Sequence, residues 1–401
     1  MNRDDFPVLR NNPELIYLDS ANTALKPQCV IDAVNSYYTT YSANIGRTSY
    51  RLSEIATDAY EGARAKVADF IDASPCEIMF TQSSSYAINQ IARGIQHMLR
   101  PGDEILLTRH EHNSNLLIWY QLAREIGIKI HFVEDLTAKD DLSKVRLFSY
   151  SLVSNTTGTL HNYTNLVHKL KEQGVMIAVD ISQAVAHLPL SVHKLSCDFA
   201  VFSAHKMYGP SGVGVLYIRR DLQDQIEPLV YGSQTFANLD IANNQFTLLS
   251  SPAKFEPGTQ NIEGVIGLGA AVDYLISSAK GDKGKFKQLN TQFYKHEKQL
   301  VQHYHQKANE LDLTSYIFEN TPVDIGVATL SHPNIHPHDI ALLMDERYHV
   351  AVRAGKACAD LVADSAHERR GFIRASFGIY TTSSDIDKFL MAYRRIIDEL
   401  G

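Results

Sequence analysis

The sequence predicts an α/β protein with two domains: a large domain whose mostly parallel sheet is flanked by helices, and a smaller α+β domain at the carboxyl end. Three observations lead to this prediction. Between about residues 50 and 220, helical patterns alternate with short apolar runs, as in a parallel sheet with crossover helices. A stretch of small and polar residues at 277–285 is typical of a joint between domains. With 401 residues, the chain is long enough for more than one core.

The elements of both domains follow from the positions of these patterns. The runs that predict strands of the large sheet lie at 77–81, 104–108, 145–153, 175–179, 199–203 and 213–218. Beyond the joint, we expect a helix near 286–311, a strand at 325–330, a helix near 337–347 and a last helix that begins at Ser384, with Asp387 in its first turn. We therefore place the large domain at 16–277 and the small domain at 278–401, with residues 1–15 packed on the small domain.

Composition and charge do not favour binding to nucleic acid or to a membrane. The net charge is −7 and the isoelectric point is near 6.2, so no basic surface is indicated. The amino end lacks the apolar core of a signal peptide, and the apolar run at 265–272 is stopped by Asp273 well short of a membrane span. The four cysteines lie far apart without a CxxC pair, so we predict neither disulfides nor a metal site. We expect a soluble cytoplasmic protein.

Lys206 is the most informative residue of the chain. It follows the apolar run at 199–203 and precedes a turn that contains Gly209 and Pro210, so it lies where a buried strand meets a turn. The sequence has no acidic residue between Asp198 and Asp221 that could pair with it locally. Desolvation lowers the pKa of a lysine and frees its amine for covalent chemistry. A partly buried structural lysine is the alternative if Lys206 is considered alone.

Two further features predict the group that this amine serves. Serines at 83–85 precede a helical pattern, and a helix start of this kind offers a phosphate free N–H groups and hydroxyl donors, although an ordinary serine cap has the same sequence. Asp180 ends another strand, where a carboxylate can keep a pyridine nitrogen protonated, although it could equally start a turn. Together with Lys206, these residues predict an enzyme that uses pyridoxal phosphate.

Three more residues are candidates for the site. The polar loop at 109–115 contains His112, whose imidazole could stack on a ring; its His-x-His spacing also suits a metal, but no third ligand is evident. Cys358 lies in a loop of small residues after a strand, where a thiol can be exposed and can carry a sulfur atom, or it is a small core residue. Arg374 lies in an apolar run and needs an anionic partner, either a substrate carboxylate or a structural Asp or Glu.

Together these segments resemble the cysteine desulfurase and selenocysteine lyase group of the class V aminotransferase family, which has the pyridoxal phosphate fold type I. The likeness runs from 17–21 to 380–382, and its most specific segments are 202–210, 255–261 and 353–359. The resemblance implies that L-cysteine, or L-selenocysteine, is converted to L-alanine and that the sulfur passes to Cys358 as a persulfide. It also implies a homodimer and a possible sulfur-acceptor protein.

The resemblance implies a role for each site residue. The catalytic residues would be Lys206, which forms the Schiff base and moves the substrate proton, Cys358, and His112, which stacks on the ring. Asp180 would pair with the ring nitrogen and Gln183 with the ring hydroxyl. The phosphate would be bound by Ser84, Ser85, Ser203, His205 and a Thr259 from the second subunit. The substrate carboxylate would be bound by Asn155 and Arg374.

Several positions depart from the family pattern. Where relatives commonly have Gly-Thr-Thr-Glu, this chain has Ser-Ser-Ser-Tyr at 83–86. The family's Asn-Val-His-Arg is replaced by Asn-Ile-Gly-Arg at 44–47, and a glycine-rich stretch of the relatives is reduced to Tyr-Gly-Ser at 231–233. Lys356 and Ala357 replace the histidines beside the cysteine, and the charge of Lys356 could activate that thiol. The alternatives are therefore another pyridoxal phosphate β-lyase or aminotransferase of the same family, or a non-catalytic scaffold.

Overall fold

We describe a computed structural model of the chain, which gives the structure of residues 3–46, 49–137, 141–277, 291–318, 324–365 and 370–401. Its centre is a seven-stranded sheet in the order β2-β8-β7-β6-β5-β3-β4. Only β8 runs antiparallel to its neighbours, so the mostly parallel sheet expected from the sequence is confirmed. The strands are β2 (Ile78–Thr81), β3 (Glu104–Leu107), β4 (Lys129–Phe132), β5 (Val145–Ser151), β6 (Met176–Asp180), β7 (Phe199–Ser203) and β8 (Gly214–Ile218).

Helices cover both faces of this sheet because its strands are apolar on both sides. Neighbouring residues of β5 point to opposite faces, so Leu147 and Phe148 belong to two different apolar clusters, and Ala178 and Val179 of β6 are divided in the same way. The helices of this part are α1 (Pro7–Asn11), α2 (Gln28–Thr40), α3 (Arg51–Ile71), α4 (Ser84–Ile95), α5 (Ser114–Ile126), α6 (Thr164–Glu172) and α7 (Ile262–Ser277). Within the described ranges, every helix is too short or too polar to span a lipid bilayer.

The carboxyl-terminal part has its own apolar cluster beneath a three-stranded antiparallel sheet in the order β11-β14-β13. Its strands are β11 (Val327–Leu330), β12 (Val350–Ala351), β13 (Arg353–Gly355) and β14 (Phe372–Ser376), and its helices are α8 (Thr291–Glu310), α9 (Pro337–Tyr348), α10 (Asp360–Ser365) and α11 (Ser383–Leu400). Strand β12 pairs in parallel with the short strand β1 (Ile16–Tyr17) near the amino end. The amino-terminal segment thereby reaches the carboxyl-terminal part.

The amino-terminal segment also contacts the central core. Arg3 forms an ion pair of 2.8 Å with Asp385, at the start of α11. Phe6 is buried and lies against the rings of Tyr208 and Tyr380, so one segment contacts both parts of the chain. The turn that follows β1 is bonded to the central part of the chain through the N–H of Ala24, which donates to the carbonyl of His205.

Three elements differ from the sequence expectation. The last helix begins at Ser383, and Thr382 caps it through the N–H of Asp385, so the start predicted at Ser384 with Asp387 is wrong. Threonine is a weaker N-cap than serine but still a favoured one, and here the Asp385 side chain also accepts from the Thr382 N–H, which completes a capping box. Strand β4 and the hairpin of β9 (Phe236–Asp240) and β10 (Gln245–Leu248) were not predicted. Of the joint predicted at 277–285, Ser277 is the last residue of α7, and the remainder lies outside the described residues, so the domain boundary at 277/278 stays a prediction.

Candidate active site

A cavity of about 210 Å³ lies at the carboxyl ends of the parallel strands, where ligands bind in sheets of this kind. Five strands that run in one direction, β2, β3, β5, β6 and β7, each end beside it. Ten of the twelve residues predicted for the site line this cavity: Ser84, Ser85, His112, Asn155, Asp180, Ser203, His205, Lys206, Cys358 and Arg374. The two sheets together therefore bring to one cavity residues as far apart in the chain as Ser84 and Arg374.

Lys206 lies in a short turn directly after β7 and reaches into the cavity. Burial lowers the pKa of its amine, while the carboxylate of Asp180 acts in the opposite direction. Because burial is the larger effect, a neutral, nucleophilic amine is favoured relative to a lysine in water. This is the property that the sequence predicted from the position of Lys206 alone.

The serines after β2 form a turn that collects donors at one point. The Ser83 hydroxyl accepts from the N–H of Tyr86 and caps α4, and the Ser84 N–H donates to the Ser203 hydroxyl at 2.8 Å. This turn lies tightly against β8, because a Cβ on Gly214 would stand 2.3 Å from the Ser83 carbonyl carbon. Serine hydroxyls and the first N–H groups of a helix make this end of the cavity suitable for a phosphate.

His112 forms the wall of the cavity beyond β3. Burial, and then the nearby charge of Lys206, lowers the pKa of its imidazole to about 4, so the ring is neutral at physiological pH. Its Nδ1 accepts from the Ser114 N–H at 3.1 Å, which assigns the ring proton to Nε2. The Ser114 hydroxyl in turn lies 2.6 Å from that of Ser85, so the ring is connected to the serine turn.

A buried carboxylate that the sequence did not single out supports His112. Glu111 is fully buried and accepts hydrogen bonds from Thr108, from Asn115 and from both the N–H and the hydroxyl of Ser151. Burial raises the pKa of its carboxyl group to about 7. These bonds join the loop after β3 to the end of β5, so Glu111 fixes the position of the adjacent His112. An acidic residue between two histidines was the only available sequence signal.

Two predicted residues do not line the cavity. The side chain of Gln183 is buried and donates to the carbonyl of Ala21 at 2.8 Å, so it reaches the cavity wall only through that backbone. Thr259 lines a separate cavity together with Gln82, Tyr86 and other residues. The structure is of a single chain, and the family resemblance assigned Thr259 to the site of a second subunit.

Arg374 enters the cavity from β14 and is almost completely buried. Its Nη1 donates to the carbonyl of Asn155 at 3.0 Å, and its Nη2 lies 3.3 Å from the Asp19 carboxylate. Asp19 is thus the structural partner that the sequence left open. Within the described part of the chain, Nε of Arg374 has no hydrogen-bond partner although it is buried. A guanidinium with such an unused donor can still bind a carboxylate in the cavity.

Cys358 lies in the loop between β13 and α10, and its side chain is exposed. The thiol therefore faces the same cavity as the amine of Lys206. Five further residues line the cavity. Ser83 belongs to the serine run expected from the sequence, whereas Ala21, Asn22, Arg353 and Ala357 were not predicted as site residues. Arg353 begins β13, just before the Cys358 loop, so a basic residue ahead of a loop of small residues was a usable signal, whereas Ala21 and Asn22 offered none.

The comparisons with known proteins agree with this arrangement. A family model described as aminotransferase class V matches residues 16–389. The chain belongs to the class V aminotransferase family. Among curated relatives of this class V chain is a probable cysteine desulfurase of Pyrococcus abyssi, 37% identical over 407 residues that cover 99% of this chain and 97% of the relative. A cysteine desulfurase of Yersinia pestis is 34% identical over 414 residues, covering 100% and 98%.

Solved structures of class V enzymes superpose over nearly the whole chain. An apo cysteine desulfurase from Thermococcus onnurineus has a TM-score of 0.89 at 34% identity, with 99% of this chain and 97% of that one covered. A cysteine desulfurase from Escherichia coli in an S-sulfonic acid form has a TM-score of 0.85 at 30% identity, with 99% and 98% covered. The family and the fold class predicted from the sequence are confirmed.

Proposed function

We propose that this class V chain is a pyridoxal phosphate enzyme, a cysteine desulfurase that converts L-cysteine to L-alanine and takes up the sulfur on Cys358 as a persulfide. The observation that carries the proposal is that the amine of Lys206 and the thiol of Cys358 line one cavity, together with the buried guanidinium of Arg374. The relatives named above are cysteine desulfurases or a probable one, and this chain matches nearly their full length. This supports the predicted enzyme class and its cofactor.

The donors of the cavity fit the chemical groups of pyridoxal phosphate. The serine turn at the start of α4, with Ser203 and His205, suits the phosphate; Asp180 suits the pyridine nitrogen; and Lys206 suits the aldehyde. When bound, pyridoxal phosphate supplies a ring that accepts the electrons left on the substrate's α-carbon. The neutral ring of His112 can lie flat against it, and the amide of Gln183 would act through the backbone of Ala21 or by turning toward the ring hydroxyl.

Each catalytic side chain has a task that its environment favours. Asn155 and Arg374 hold the substrate carboxylate, since the amide donates and Nε of Arg374 is unused. Lys206, whose pKa is lowered by burial, takes the proton from the α-carbon as a general base. The Cys358 thiolate attacks the substrate sulfur, so an S–S bond forms and the C–S bond breaks. The electron pair of that bond stays on the substrate's β-carbon, which takes up a proton, and Lys206 returns a proton to the α-carbon, so that alanine is formed.

The test is the formation of alanine and sulfide from L-cysteine in the presence of a reductant. For Cys358→Ala we expect retained yellow cofactor absorbance and a loss of alanine formation of about a hundredfold or more, because the nucleophile is absent. Cys29→Ala, in a second exposed cysteine, is the matched control and should behave as wild type. Alanine formed without dependence on Cys358 would favour another β-lyase, and a protein without cofactor absorbance would favour the scaffold alternative. The same assay with L-selenocysteine compares the two substrates.

We propose a homodimer in which Thr259 of each subunit completes the phosphate site of the other. This is supported by the separate cavity of Thr259 and by exposed apolar side chains on the β9–β10 hairpin, namely Leu239, Ile241 and Phe246. The cytoplasm is the compartment that we propose, because all four cysteines are free and a persulfide carrier needs reducing conditions. A sulfur-acceptor protein would then collect the persulfide. Sedimentation velocity tests the dimer: a monomer at micromolar concentration would contradict it.

A further inference from the structure

The loop that carries Cys358 is held in an unfavourable backbone conformation. Ala357 has φ of +50° and Cys358 has φ of +57°, so two consecutive residues with side chains occupy the left-handed region that favours glycine. Such a conformation persists only where the surrounding contacts enforce it. The contacts around this loop therefore determine where the thiol lies.

Two asparagines, one in the loop after β3 and one in the loop after β5, supply those contacts. The N–H of Asn113 donates to the carbonyl of Cys358 at 2.8 Å, and Nδ2 of Asn155 donates to the carbonyl of Ala357 at 2.8 Å. The carbonyls of both left-handed residues are thus fixed. Asn113 directly follows His112 in the chain, so the loop is tied to the wall on which the proposed ring-stacking residue lies.

The side chain of Asn113 forms a second link to this loop, through Asp360. Nδ2 of Asn113 donates to Oδ2 of Asp360 at 2.8 Å, and the N–H of Asp360 donates to Oδ1 of Asn113 at 3.3 Å. The Asp360 carboxylate also lies 3.1 Å from the amine of Lys356, so an ion pair joins a residue before Cys358 to a residue after it. The hydrogen bond from Asn113, followed by that from Lys356, lowers the pKa of the Asp360 carboxyl group.

From this geometry we propose that Asn113 and Asp360 form a clamp that positions the Cys358 thiol against the substrate, and that both are positioning residues for sulfur transfer. The proposal rests on the proposed role of Cys358. The clamp fixes the loop on the wall of His112, and Lys356 holds Asp360 from the other side. Neither Asn113 nor Asp360 lines the cavity, so the clamp acts through the backbone of the loop and not on the substrate or the cofactor.

An exchange of the two side chains tests the clamp. Asn113→Asp places two carboxylates against each other, and Asp360→Asn removes the charge, whereas the double variant Asn113→Asp/Asp360→Asn restores a donor opposite a carboxylate. We expect kcat for alanine formation to fall about tenfold in Asn113→Asp, with KM within about twofold of wild type, and to recover to within about threefold in the double variant. Cofactor absorbance should be the same in all of these proteins.

Amide hydrogen exchange of the peptide spanning 356–365 gives a readout that does not depend on activity. We expect exchange about tenfold faster in each single variant and restored protection in the double variant. Asn12→Asp is the matched control, because Asn12 is exposed and its Nδ2 donates to the carbonyl of Val8, far along the chain from the clamp. Wild-type exchange in Asn113→Asp, or additive effects in the double variant, would overturn the clamp. Since exchange reports on the loop itself, this result stands apart from the Cys358→Ala assay, whose failure would refute the proposed function instead.

Discussion

The two walls of the cavity are built in different ways. On the cofactor wall, the serine turn, Ser203 and Lys206 stand directly at the ends of the central strands, and the sheet fixes them. The thiol wall consists of residues 353–360, which leave the edge strand β13 and pass through two left-handed residues that side chains from elsewhere hold in place. We infer that cofactor binding depends on the sheet, whereas delivery of the sulfur depends on a few side-chain contacts that can be released separately.

The largest expected effect is the loss of the amine on the cofactor wall. In Lys206→Ala we expect the rate of alanine formation to fall by at least about a thousandfold, because both the covalent bond to the cofactor and the general base are removed. Borohydride treatment followed by peptide mapping should place a reduced adduct on Lys206 in wild type and nowhere in the variant. Lys254→Ala is the matched control, since Lys254 is also a buried lysine whose pKa is lowered by burial. An adduct on any other lysine of the wild-type protein would refute the assignment.

A smaller effect is expected for Arg374, which joins the two walls. Arg374→Lys keeps the charge but loses the planar donor set, so kcat/KM for L-cysteine should fall about a hundredfold, mainly through KM. The effect on cofactor absorbance should be small. Arg64→Lys is the control, because Arg64 is equally buried but is paired with Glu256 away from the cavity. If KM for L-cysteine were unchanged in Arg374→Lys, the guanidinium would have only its structural partner Asp19.

The two walls also differ in how far the sequence can predict them. Asp180 and Lys206 stand at the ends of apolar strands, so the period and length of each run are enough to locate them, whereas Ser203 was assigned to the site through the family resemblance. The sequence locates Cys358 by the loop of small residues around it, but it does not reveal the residues that hold this loop in place. Asn113 and Asp360 are 247 residues apart, and no local pattern shows that two polar residues of different loops will meet. Glu111 is missed for the same reason, since its partner Ser151 lies on another strand.

As the pH falls below 6.5, we expect the histidines of the cofactor wall to lose stabilising free energy before the clamp of the thiol wall is affected. Burial lowers the pKa of His112 and of His205 to about 4, from 6.5 in the unfolded chain, so the unfolded state binds more protons between these values. The free energy of unfolding should therefore fall as the pH drops from 6.5 to 4, by at most about 1.4 kcal/mol per pH unit for His112 and by less for the partly exposed His205. The clamp does not share this dependence, because the lowered pKa of Asp360 keeps it ionised over this range.

Urea unfolding between pH 7.5 and 4.5 measures this difference. His112→Gln should unfold with a shallower dependence on pH than wild type, and His168→Gln, in an exposed histidine of α6, controls for the substitution itself. Exchange of the 356–365 peptide, corrected for the intrinsic effect of pH, should stay protected to about pH 5. Equal slopes in wild type and His112→Gln would show that this histidine does not set the acid sensitivity.

The smallest expected effect concerns Lys356, which stands where relatives commonly have histidine. The sequence suggested that its charge activates Cys358, but in the structure its amine lies 3.1 Å from Asp360 and 3.4 Å from Asp364, so two carboxylates compensate that charge. Exposed ion pairs contribute little, and we expect kcat in Lys356→Ala to stay within about threefold of wild type. Alkylation rates of Cys358 measured across pH should nearly coincide in the two proteins. A clear displacement of the alkylation rate profile to higher pH in Lys356→Ala would restore the role suggested by the sequence. The charge of Lys356 would then activate the thiol, in addition to the contacts that position it.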